Sequence, residues 1–224
     1  VILPKGLKKV EYSAFRECSS LTSVTLPEGL KEVGDGAFEE CSLASLTLPQ
    51  GLKKVGNYAF CGCSSLISVT FPQGFKEIGD SAFYECSSLI SVTFPQGLKY
   101  IGEAAFYGCS FTSVILPKGL KKTGEFAFSP CTSLTSVTFP KGLKEVENGA
   151  FWGCTSLTSV TLPKGLQEVG QRAFYGCSSL TSVTFPEGLK HVKNGAFEEC
   201  NSLTSVTLPH GCSYQWGSFP RDCS

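Results

Sequence analysis

Twelve cysteines are the residues of this 224-residue chain best equipped for chemistry. Nine recur at a near-constant interval: Cys18, Cys41, Cys63, Cys86, Cys109, Cys131, Cys154, Cys177 and Cys200. Thiols in register can bind soft metals, pair as disulfides or fill space as small apolar groups. Cys61-Gly62-Cys63 is the one closely spaced pair, whereas tetrahedral zinc requires two such pairs or added histidines. The two histidines, His191 and His210, are far from it in sequence. The column therefore reads as buried, mostly free thiols, and no metal site or cofactor is expected. Cys212 and Cys223 fall outside the column, and a bridge between them would close a short terminal loop.

The remaining polar residues also fall into files. Ser23, Ser45, Ser68, Ser91, Ser113, Ser136, Ser159, Ser182 and Ser205 form one; a threonine file beside it is broken only by Ile115. Ten prolines, from Pro4 to Pro209, are each followed by a variable residue, among them Gln73, Gln96, Lys118, Lys141, Lys164 and Glu187. A second file holds Tyr84, Tyr107, Trp152 and Tyr175, interspersed with polar residues such as Arg16 and Glu198, so the position is not deep core. These two variable files are the candidate partner-binding residues, although half-buried packing between neighbouring turns explains the aromatics equally well. No phosphate loop, HExxH or nucleophile elbow occurs, and no catalytic residue is expected. Lys+Arg and Asp+Glu balance at 19 each, which gives no general attraction for nucleic acid or anionic membrane. No apolar run approaches the roughly 18 residues of a membrane helix, so no direct membrane insertion is expected.

All these files are carried by one repeated unit. The prolines step by 22 or 23 residues, giving about nine repeats over residues 1–211, the first truncated, followed by a C-terminal cap over 212–224. Two copies are one residue short, just after Cys41 and Cys109, where the loss should leave strand and spine in register. Within a unit such as 134–155, Leu134 to Phe139 alternates with the two-residue period of a strand. Pro140-Lys141-Gly142 reads as a turn with proline second and glycine fourth. Asn148, in a column with Asp35, Asn57, Asp80 and Asn194, reads as the cap of a short helical turn holding Phe151. Nine phenylalanines from Phe15 to Phe197, each preceded by alanine, should stack as a spine. Tyr214, Trp216 and Phe219 are suited to covering the last open core. Val1-Ile2-Leu3-Pro4 matches Val114-Ile115-Leu116-Pro117, so further repeats or a cap are expected upstream, and localisation cannot be read from the start.

The pattern Leu-x-x-Val-x-Leu-Pro-x-x-Leu-x-x-Val-Gly-x-x-Ala-Phe-x-x-Cys resembles the BspA-like class of leucine-rich repeats and covers residues 1 to about 211. The resemblance implies an α/β repeat solenoid: a right-handed arc with a parallel β-sheet on the concave face and short helical turns on the convex face. It also implies binding or adhesion, an extracellular or cell-surface setting, and no catalysis. Gly29, Gly51, Gly74 and their equivalents stand where such repeats often have asparagine. The expectation is that an asparagine ladder is absent and the Pro-x-Gly turn ties the coils instead.

The expected function is thus a non-catalytic module that binds another protein through the Ser/Thr surface and its charged edge. The alternative is a structural subunit docked on a larger protein assembly. A minor alternative is ice binding by the hydroxyl files, which a curved sheet disfavours.

Overall fold

The computed structural model describes residues 1–223; Ser224, the last residue of the expected cap, lies outside the described residues. The chain winds as a parallel solenoid. Counted by spine phenylalanine, coils one to nine carry Phe15, Phe38, Phe60, Phe83, Phe106, Phe128, Phe151, Phe174 and Phe197. Successive rings stack 5.1–5.6 Å apart and within 14° of parallel. Each coil has three sides: a strand, a second strand beyond the Pro-x-Gly corner, and a turn segment carrying phenylalanine and cysteine. The inward Leu, Val, Ala, Phe and Cys columns form one continuous core along the array. No coil encloses enough apolar surface alone, so stability accumulates from neighbour contacts.

The first side forms the expected parallel ladder, with Val69 opposite Val92, Val114 opposite Val137 and Val160 opposite Val183. Valine points inward while the flanking serine and threonine stay exposed, as strand alternation requires. The second side is a parallel ladder that the sequence reading missed. It runs through Lys9–Val10, Glu32–Val33, Lys54–Val55, Glu77–Ile78 and Tyr100–Ile101, then resumes at Glu145–Val146, Glu168–Val169 and His191–Val192. At two residues each, these strands carry too little alternation to register as a pattern.

The third side is not helical. Helical turns were expected here, but the described residues contain no helix. Two residues on this side adopt left-handed backbone in each of the nine coils except coil six, which has Phe126 alone; examples are Gly36 (φ +61°) and Glu40 (φ +57°), and no helix continues through such residues. The reason is a better use of the amides. The N–H groups of Gly36, Phe38 and Glu40 donate along the array to Asn57, Ala59 and Cys61 carbonyls at 2.7–2.8 Å. Those of Ala37, Glu39 and Cys41 turn back within their own coil. A single helical turn is too short to hold itself, whereas stacked coils supply an acceptor for alternate amides. The column read as helix caps serves this stacking too. Asp35 Oδ1 accepts from the Asn57 amide, Asn57 Oδ1 from Asp80, and Asp80 Oδ1 from Glu103, each at 2.9 Å. An Asx ladder therefore exists, in a different column from the one where it was sought.

Two further details differ from expectation. Proline occupies the first position of its turn, because Leu143 donates to the Pro140 carbonyl (3.0 Å) and Leu166 to Pro163 (3.1 Å). Glycine is third, with positive φ at Gly74, Gly165, Gly188 and Gly211. The short copies do keep the ring stack in register, but they interrupt strand pairing. The first ladder lapses before coil three and before coil six, and also between coils seven and eight, where neither copy is short; the second lapses between coils five and six.

Residues 209–223 wind a partial tenth coil. Cys212 occupies the leucine position of the turn, Ser213–Tyr214 pairs with His191–Val192, and Phe219 stacks on Phe197 at 5.5 Å and 1°. Of the three aromatics expected over the last core, only Phe219 lies there; Tyr214 and Trp216 remain largely exposed. Cys212 and Cys223 are separate, half-buried thiols in this structure. Their pairing in an oxidising medium is a proposal that peptide mapping of unreduced protein would check.

Candidate partner-binding surface

The Pro-x-Gly corner presents Gln73, Gln96, Lys118, Lys141, Lys164 and Glu187 to solvent, one per coil. The neighbouring lysine file is already engaged. Lys121 and Lys144 lie over Gly142 and Gly165 of the next coil, where a Cβ would come within 3.1 and 3.5 Å of the ammonium. Lys144 also donates to the Gly165 carbonyl at 3.3 Å. The residues after the prolines therefore carry the free side chains of this corner. Three of them, Gln96, Lys118 and Lys141, converge on a groove of about 540 Å3 across coils five to seven, floored by Leu116, Phe139 and Pro140. Ile115, which replaces threonine in its file, stands on the groove wall with 69% of its surface exposed. Lys164 and Glu187 continue the corner beyond the groove, and Gln73 precedes it.

The aromatic file lies elsewhere, on the turn side, so the two candidate sets do not form one site. Tyr84 and Tyr107 stack at 4.7 Å, and Trp152 meets Tyr175 edge-on at 6.1 Å. Between the pairs, Ser129 is fully buried and its Oγ has no partner. Tyr84, Tyr107 and Tyr175 are half-buried against their neighbours, and Trp152 is the most open at 40% exposed.

Charge on the second ladder is paired around coils six to nine. Lys122 reaches Glu145 at 2.6 Å and Glu147 at 3.1 Å, which raises its pKa above the usual lysine range. Lys193 pairs with Glu168 and is likewise raised. Burial pushes the Glu145 carboxyl up, but the Lys122 hydrogen bond and charge, with Glu168 and Lys193, bring it below the ordinary value. Beside this comb, Thr123 replaces the inward valine or isoleucine of its column, and its Oγ1 accepts from the Glu147 amide at 2.9 Å.

The thiol column donates along the axis. Cys63 bonds the Phe38 carbonyl and Cys86 the Phe60 carbonyl, both at 3.2 Å, and Cys154 bonds Phe128 at 3.3 Å. Burial raises Cys63 and Cys154 to about 12, so these groups stay protonated and unreactive. Cys18, in coil one, is exposed. Cys61 faces Glu39, Glu85 and Glu40, and burial with these charges lifts it to about 11. His191 Nδ1 and Ser213 Oγ lie 2.7 Å apart, but both are exposed and Ser213 donates to the Lys190 carbonyl. Among the described residues no acid holds the imidazole and no cavity encloses the pair, which is not the arrangement of an activated nucleophile.

These features define a three-sided parallel repeat solenoid with an exposed hydroxyl face and a variable corner. The chain belongs to the BspA-type leucine-rich repeat family: the model of that repeat region, in six copies, matches residues 1–110 and 99–219. Among solved structures, a T. pallidum leucine-rich repeat protein is 31% identical, with 80% of this chain and 77% of that one covered at a TM-score of 0.60. A leucine-rich cell surface protein from Faecalibacterium prausnitzii is 25% identical, with 99% and 78% covered at 0.53. A leucine-rich repeat protein from Eubacterium ventriosum, 20% identical with 100% and 82% covered at 0.67, shares the fold. No curated protein matches the chain.

Proposed function

We propose that the chain is a non-catalytic recognition or adhesion module of a cell surface, binding a protein through the Ser/Val/Thr side and its adjoining corner. The observation that carries this reading is the open first side. Its valines point inward, buried or half-buried, while two hydroxyl files face solvent over successive coils. Short hydroxyls favour adaptable hydrogen bonding at little conformational cost. On the arc that the family implies, this side is the concave one. The Faecalibacterium relative is described as a cell surface protein, which supports the setting. Interruptions of the hydroxyl ladder, with Ile115 in the threonine file, favour protein recognition over ice.

Site-specific photo-crosslinking tests the reading. A benzophenone side chain at Ser136, on the hydroxyl side, is expected to capture protein from native extract, and one at Glu198, on the turn side, is not. Capture from Glu198 alone would favour the docked-subunit alternative, and capture from neither would overturn both.

A further inference from the structure

We propose that the groove over coils five to seven docks an extended acidic segment of a protein partner, seating one aliphatic side chain against Ile115. The proposal rests on the recognition reading above and narrows it to one place and one chemistry.

Three observations converge there. Ile115 interrupts the threonine file in mid-array, as Ile2 does in the first coil, and it stands exposed on a strand that pairs in register with that of coil seven. Exposed isoleucine on a hydroxyl face gains from a partner that removes it from water. Next, Lys118 and Lys141 are both exposed, and neither forms an ion pair among the described residues. No carboxylate lines the groove. Among the described residues their charge is therefore unpaired, unlike that of Lys122 and Lys193. Finally, the groove bridges the place where coil six, one residue short, interrupts both strand ladders. The recess here is larger than the one of about 300 Å3 at the equivalent corner beside Glu187, with the Gln96 amide on the coil-five wall and the ammonium groups on the other. A volume of about 540 Å3 admits a few side chains of an extended strand, within the roughly 300–1,000 Å3 of ordinary small-ligand sites. Lys164 continues the positive corner and Glu187 ends it, so the acidic stretch runs along coils six to eight.

The test uses fluorescence polarisation on the full chain. The probe is a labelled nine-residue peptide with a central leucine and glutamate elsewhere. Its controls are a glutamine counterpart, a counterpart with alanine at the centre, and a ten-nucleotide oligothymidylate. The acidic leucine peptide should bind most tightly. The double reversal K118E/K141E should weaken it at least about tenfold and I115T by about three- to tenfold, at 1.4 kcal/mol per tenfold. Because all three side chains are exposed, the variants should keep the wild-type circular dichroism spectrum and melting point. The proposal is overturned if the acidic peptide does not bind, if the glutamine peptide or the oligonucleotide binds as tightly, or if the reversal changes nothing. Crosslinking from Ser136 in the K118E/K141E background separates the two levels. Loss of capture supports the groove, whereas undiminished capture removes the groove and leaves the recognition face standing.

Discussion

The Ser/Val/Thr side and the turn side belong to the same coils but hold them together differently. The strand ladder, which looks like the stronger tie, is discontinuous: it pairs coils three to five, six with seven, and eight with nine. The turn side, which looks like a weak helical remnant, bonds each of the first nine coils to the next without a gap. It also carries the phenylalanine stack, the thiol file and the Asx ladder. A side relieved of structural duty tolerates exceptions, and it is there that Ile115 and the groove occur. The turn side tolerates few; within the first nine coils its proline, Pro130, omits a single amide donor while the Phe128 amide still bonds Ala150.

The largest test of this contrast is alkaline pH. Cys63, Cys86, Cys109, Cys131, Cys154 and Cys177 are raised by burial above the ordinary thiol value; at Cys177 a hydrogen bond with Cys200 contributes most. An unfolded thiol ionises above about pH 8.5–9 while the folded one keeps its proton, so the native state binds more protons and stability falls as pH rises. Each raised thiol steepens that loss, which begins at about pH 8.5–9 and continues toward about 12, the value to which Cys63 and Cys154 are raised. Denaturant melts under reducing conditions from pH 7 to 11 should show that steep loss. A slope worth a single thiol would mean that the turn side is not the tie.

Next in size is a break in the ring stack. Phe106→Ala is expected to cost about 3–5 kcal/mol, and Val137→Ala, half-buried on the strand side, about half of that or less. Chemical denaturation of both variants compares the sides directly, and equal losses would erase the contrast. Removing one rung of the Asx ladder with Asp80→Ala takes the acceptor from the Glu103 amide and should cost about 1 kcal/mol by the same measurement. Smallest of all, Thr161→Ala on the exposed hydroxyl file should change stability by no more than about 0.5 kcal/mol. A larger loss there would show the hydroxyl files to be structural.

Much of this was visible in residue spacing. The inward columns, the phenylalanine spine and the parallel first side all follow from side chains recurring at one interval. The candidate corner was visible as well, because its residues vary where their neighbours do not. The turn conformation was not. Its first left-handed position is held by Ser13, Tyr58, Ala104, Phe126 and Arg172 as well as by glycines, so no residue type marks it. The groove was half legible: Ile115 stands out in the threonine file, but the recess beside it is made by the stacking of the corners of coils five to seven.

What the linear chain determined was the period, the core columns and the set of residues free to vary, because those depend only on hydrophobic side chains returning to one side at each turn. What only the stacked array decided was where alternate amides find acceptors. A carbonyl on the next coil, one residue interval of about 22 away and about 5 Å off, outcompetes the fourth residue back along the chain. That choice replaces helix with left-handed turns and moves the Asx ladder to its actual column, while the hydroxyls of the first side stay open to solvent.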